Sequence, residues 1–171
     1  MAIATFKQIL CKNISENGED MFGIFDTLIC ERGKTRFCIC VFFDEILEKG
    51  EDVDCYYYRI VLRYLGKTRS ESRHYRVDSG FFWEKGSEND EINISDSVKY
   101  KSTKRGCSGR LNINYGFNAN MQGSYEIDLY VKKASEQIDF DMFEKMPVGE
   151  LDLVSLYPFQ IIFQNAEKYD E

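Results

Sequence analysis

The sequence predicts an all-β fold, an antiparallel two-sheet β-sandwich of about eight or nine strands with one or two short helices. Three observations carry this. Apolar residues alternate with a period of two through most of the chain. Thirteen Phe and eleven Tyr favour a pleated surface, where flat side chains pack well. The gaps between alternating runs are too short for the helical crossovers a parallel βαβ arrangement requires.

The runs appear in order. Residues 3–12 and 20–30 are weaker strand candidates. Phe37, Ile39, Val41 and Phe43 alternate cleanly, and Tyr56, Tyr58, Ile60, Leu62 and Tyr64 follow, with Tyr57, Arg59, Val61 and Arg63 on the other side. Tyr75, Val77, Ser79, Phe81 and Trp83 make a third set, and 92–101 is a weaker candidate. Leu111, Ile113, Tyr115 and Phe117 alternate with Asn112, Asn114 and Gly116, as befits a strand with one wet face. Tyr125, Ile127, Leu129 and Val131 repeat the pattern, as do Phe159, Ile161 and Phe163. Glycine-bearing turns separate the runs, among them Asn17-Gly18, Leu65-Gly66-Lys67 and Gln122-Gly123. Two short helices fit the remainder: Asp44–Lys49 after a strand, and Ser135–Met146, where Ile138, Met142, Phe143 and Met146 recur at helical spacing before Pro147.

Only two prolines occur and no linker divides the chain, so one domain over 1–171 is expected, with 134–149 a helical excursion before the last strand. Gly123-Ser124-Tyr125 resembles the strand of immunoglobulin-like sandwiches in which a Tyr hydroxyl caps a nearby backbone turn. A short strand ending near a Cys and leading through a polar turn into Gly23-Ile24-Phe25-Asp26, with a Gly-x-Tyr strand late, resembles a family of small bacterial β-sandwich domains of unknown function. That resemblance spans residues 3–131 and departs after Lys132; it implies a sandwich and no activity.

The formal charge of −7 disfavours nucleic acid and anionic membrane as partners. No stretch approaches the length of a membrane helix, and the amino terminus lacks the basic start and apolar run of a signal peptide. A cytoplasmic location is therefore expected. The six cysteines then read as reduced, structural thiols, five of them within strand-like runs.

Chemistry leaves few handles. One histidine and no Cys pair at zinc-knuckle spacing predict no metal site, and no nucleotide fingerprint is present, so no cofactor is expected. An enzyme would have to centre on His74, which alternation places on a solvent-facing side beside Arg76, opposite Tyr75 and Val77. Charge is unevenly spread: ten of 22 basic residues fall in Arg63–Arg76 and Lys99–Arg110. From these, Arg69, Arg73, His74, Arg76, Lys99, Lys101, Lys104, Arg105 and Arg110 form a candidate anion-binding set, centred on the 99–110 loop. Tyr57, Phe82 and Trp83 are candidate surface aromatics, with Tyr57 and Phe82 either packed under a helix or exposed. Ordinary core packing and internal charge neutralisation explain the same residues more simply.

The function expected is a non-catalytic binding module that recognises a protein partner through strand edges or an aromatic-basic face. A small acidic domain of this kind also has the character of a bacterial or phage regulator or decoy. A binder of a small phosphate, carboxylate or sugar is the alternative, and a His74 enzyme the second alternative.

Overall fold

Each alternating run has one apolar side, and two sheets bury those sides against one another. The computed structural model describes residues 5–16, 20–44, 55–66, 73–84, 92–95, 98–103, 106–134 and 140–164. Eleven strands form among the described residues: β1 (Thr5–Ile14), β2 (Met21–Ile24), β3 (Thr27–Cys30), β4 (Gly33–Asp44), β5 (Cys55–Tyr64), β6 (Arg73–Glu84), β7 (Ile92–Ser95), β8 (Val98–Thr103), β9 (Gly106–Ala119), β10 (Gly123–Ala134) and β11 (Asp152–Phe163). One sheet has the order β2-β1-β4-β9-β8-β7 and the other β3-β11-β10-β5-β6. The protein is a β-sandwich.

Every expected strand segment is present, and two of them divide. Within 20–30 the chain changes sheet at adjacent residues: Phe25 N donates to Leu10 O on β1, while Asp26 O accepts from Gln160 N on β11, both at 3.0 Å. This brings β3 alongside β11 in parallel, the departure from an otherwise antiparallel scheme. The 92–101 segment divides into β7 and β8. The Asp44–Lys49 helix falls outside the described residues beyond Asp44. Of Ser135–Met146, residues 135–139 also lie outside them, and the helix seen is α1 (Phe140–Glu144). A tight Met146 N to Phe143 O bond closes its end before Pro147.

The core lies between the sheets. Phe37 sits at one centre, with Phe25, Tyr115, Phe117 and Phe159 all meeting it edge to face, the arrangement ring quadrupoles favour. Tyr125 behaves as the immunoglobulin-like pattern implied: its hydroxyl donates to Met121 O, four residues upstream, and ties down the turn into β10.

β6 corrects the sequence reading. Its pairing with β5 shifts register twice, passing over Val77 and Phe82. Each shift is a bulge, and each reverses the phase of the alternation. Tyr75 and Val77 therefore face the core as expected, but Phe82 turns in as well, while Phe81 packs on the outer side. Between the bulges, Tyr58 lies over Gly80 and donates to Asp78 Oδ2 at 2.9 Å. A Cβ on Gly80 would stand 3.0 Å from that hydroxyl, so the glycine makes room for the bond.

Pro158 sits within β11 opposite Glu126 on β10. Gln160 N, two residues on, points to the β3 side. By alternation the proline nitrogen faces the same way, so β11 loses no donor toward β10.

Candidate functional site

The outer face of the five-stranded sheet holds most of the buried charge. It is built from residues opposite the core-facing set of β5 and β10: Arg59 and Arg63 from one strand, Glu126, Asp128 and Tyr130 from the other. Antiparallel register sets Arg63 against Glu126 and Arg59 against Tyr130. Arg63 Nη2 reaches Glu126 Oε2 at 2.8 Å, and its Nε lies 2.9 Å from Asp128 Oδ2. Asp128 is 1% exposed. Burial and then the Glu126 charge push its carboxyl up to about 6, against the pull of Arg63. Burial alone would pull the Arg63 pKa down, but Asp128 and Glu126 outweigh it and raise it.

Beside this network a strap crosses the sheet. Phe143 of α1 stacks on Tyr57, centroids 4.6 Å apart, and Leu151 and Cys55 complete a small second core. Arg59, 2% exposed, lies beneath and donates to Phe143 O at 2.8 Å, Glu144 O at 3.2 Å and Met146 O at 2.6 Å. A charge this deeply buried is tolerated because the helix-end carbonyls receive it. Burial lowers its pKa, and Arg76 adds to that effect. Arg76 pairs with Glu144 Oε2 at 2.6 Å, and Ser79 Oγ donates to Glu144 Oε1.

On the same outer face, past β10, the chemistry turns apolar. β11 presents Leu153, Leu156, Pro158 and Ile162 opposite Tyr130, Asp128 and Glu126 and beside β3, where Ile29 pairs with Ile162. Ile29 is 53% exposed, Leu156 50%, Leu153 48% and Ile162 44%. β2, joined to β3 by only Phe25 and Asp26, adds exposed Phe22 and Ile24 at the edge of the other sheet. Four exposed apolar side chains thus lie on the outer face of the five-stranded sheet, and two more, Phe22 and Ile24, on the outer face of the other sheet, paired with Asn13 and Cys11.

The residues expected to form a site are only partly described. Arg69, Lys104 and Arg105 lie outside the described residues. Arg73 and Trp83 stand near the two ends of β6, opposite Tyr64 and Tyr56; Lys99 and Lys101 are on β8, opposite Arg110 and Ser108. His74 and Arg76 are exposed on the outer face of the five-stranded sheet, as alternation implied. Arg110 occupies the opposite outer face, its guanidinium 5.2 Å from the Phe42 ring centre and its Nε donating to Asn112 Oδ1. The two basic segments do not meet through Arg76 and Arg110. Tyr57 packs under α1, one of the two expected placements. Phe82 corrects the other: it is wholly buried, against Phe43 and Tyr58, because the bulge beside it turns it inward.

No family model matches this chain, and no curated protein matches it. Among solved structures, the CARDB domain of the PF1109 protein from Pyrococcus furiosus, in complex with di-metal ions, is similar at 10% identity. The match covers 95% of this chain and 88% of that one, with a TM-score of 0.36. The β-sandwich assignment rests on this chain's own strand pairing.

Among the described residues, no three His, Cys, Asp or Glu side chains are placed to hold a metal ion, and no helix is long and apolar enough to cross a membrane. Sequence reasoning missed the apolar row and Arg59. The row had a signal: Ile162 stands out of phase with Phe159, Ile161 and Phe163, so β11 is apolar on both sides. Arg59 had a weaker one, lying between Tyr57 and Val61 on the strand side opposite the core-facing set.

Proposed function

We propose that the chain, as one domain over residues 1–171, is a non-catalytic interaction module that recognises a protein partner through β3 and β11. The observation that supports this reading is the row Ile29, Ile162, Leu156 and Leu153, four large apolar side chains each about half exposed on one face. Exposed apolar residues scattered singly are ordinary, whereas several on one face of two adjoining strands mark a contact surface. Exposed Asp26, Glu31 and Asp152 flank the two strands in sequence against Arg32, a net acidic rim, so the partner surface that fits is apolar with a basic rim. The strand-edge form of the expectation is favoured over the aromatic-basic face, because Tyr57 and Phe82 are buried and Arg76 is ion-paired.

The test is affinity capture with the wild-type chain and with an Ile29→Glu/Ile162→Glu variant, both sites being exposed enough to leave the fold intact. A protein retained by the wild type is then purified and titrated against both. Binding weakened by about tenfold or more supports the surface. Equal affinity for a variant that melts like the wild type overturns it.

A further inference from the structure

On the opposite side of the sandwich, the outer face of the six-stranded sheet carries a cleft of about 370 Å³ lined by Lys34, Thr35, Arg36, Gly116, Phe117 and Asn118. We propose that this cleft binds a compact organic anion bearing a carboxylate or phosphate group.

The site follows from strand register. β4 and β9 pair Lys34 with Asn118, Thr35 with Phe117 and Arg36 with Gly116. Phe37 and Phe117 belong to the core side, so alternation sends Lys34, Arg36, Gly116 and Asn118 outward together, and all four are exposed. Gly116 makes the hollow. Where any other residue would stand opposite Arg36, there is open space, and a Cβ would meet nothing closer than Arg36 Nε and Thr35 O, each at 3.8 Å.

The electrostatics select the ligand's charge. The ion pairs among the described residues join Arg63 to Glu126 and Asp128, and Arg76 to Glu144. None engages Lys34 or Arg36, so two cations border one hollow in a chain of net charge −7. Two residues further along β9 on the same face, Asn114 accepts the Cys38 thiol on its Oδ1 at 2.8 Å, which directs its amide donors away from Cys38. A guanidinium fork, an ammonium and side-chain amides are the donors that bind carboxylate or phosphate oxygens. The volume lies at the lower end for small-ligand sites, which suits a compact molecule. The site is separate from the candidate 99–110 loop and from the apolar row, so it stands or falls without them.

The experiment is a backbone amide NMR titration with phenyl phosphate, benzoate and, as a neutral control, benzyl alcohol. Saturable shifts centred on Arg36, Gly116 and Asn118 with either anion support the site, and the tighter of the two identifies the group it prefers. Arg36→Gln and Lys34→Gln should each weaken binding by about fivefold or more. Gly116→Leu, which fills the hollow and keeps both cations, should abolish it. Absence of saturable shifts with both anions overturns the proposal. So does equal binding of benzyl alcohol, or undiminished binding by a folded Gly116→Leu variant.

Discussion

Arg59 holds Phe143 in two ways, donating to its carbonyl at 2.8 Å while the guanidinium carbon lies 5.3 Å from the centre of its ring. One side chain from the sheet thus fixes both the backbone and the ring of the strap, and it also donates to the Glu144 and Met146 carbonyls.

Replacing Arg59 with Met should therefore cost about 3 kcal/mol, the usual scale for removing one partner of a buried charged cluster. Arg59→Lys should recover only part of this, since an ammonium lacks the planar fork that spans three carbonyls. Urea unfolding gives the total, and hydrogen exchange gives its location. Exchange in 140–151 should accelerate far more than in β5 or β10. A uniform increase across both sheets would show that the strap is not separately anchored.

Asp128 sets a pH dependence whose sign follows from its environment. Its carboxyl is raised from 3.8 to about 6, chiefly by burial. Between about pH 4 and pH 6 the folded state then binds more protons than the unfolded one, so this group's contribution to stability falls as pH rises. Asp128→Asn removes that dependence. The variant should gain on the wild type by on the order of 2 kcal/mol between pH 4.5 and pH 7.5. Thermal melts at the two pH values measure it, and an unchanged difference would place the carboxyl in an ordinary aqueous environment.

On the outer face of the other sheet, Cys11, Cys38 and Cys40 form a buried cluster of free thiols packed by Ile14, Met21 and Phe42. Burial, followed by the charges of Cys40 and Cys38, pushes the Cys11 thiol up to about 12. Thiolate is the reactive species, so at pH 8 Cys11 should alkylate at least about a hundredfold more slowly than an exposed cysteine. Half-buried Cys30 should react before it. Mass spectrometry after timed iodoacetamide treatment, with and without urea, resolves the order. Equal rates for Cys11 and Cys30 would mean that the cluster is open to solvent.

Much of the sandwich was legible because burial on one face leaves a period-2 trace, as in Phe37 to Phe43 and Tyr125 to Val131. The turn into β10 was legible too, since Gly123-Ser124-Tyr125 combines a turn glycine with a tyrosine placed to cap the bend. Two kinds of feature left no trace. A bulge adds a residue without changing composition, so Phe82 reads as outward until the pairing is known. Tertiary cover is nearly as silent: the burial of Arg59 and Arg63 is hard to read in sequence because the strap and the Glu126–Asp128 pair that shield them are remote in the chain. The cleft beside Arg36 belongs to this second kind, since Gly116 becomes a hollow only when β4 is known to lie across from it.

Pro158 has a consequence for how the protein behaves at high concentration. Sheets with a free margin invite neighbouring molecules to continue their hydrogen-bond ladder, and fibrils grow by that route. Where β3 ends at Cys30 and Thr27, the margin of β11 continues past Asp26 to a residue with no hydrogen to offer. An incoming strand that tried to zip along the whole length would lose a rung there. The interruption leaves the apolar side chains on display while denying the backbone template, a combination that permits docking and discourages endless polymerisation.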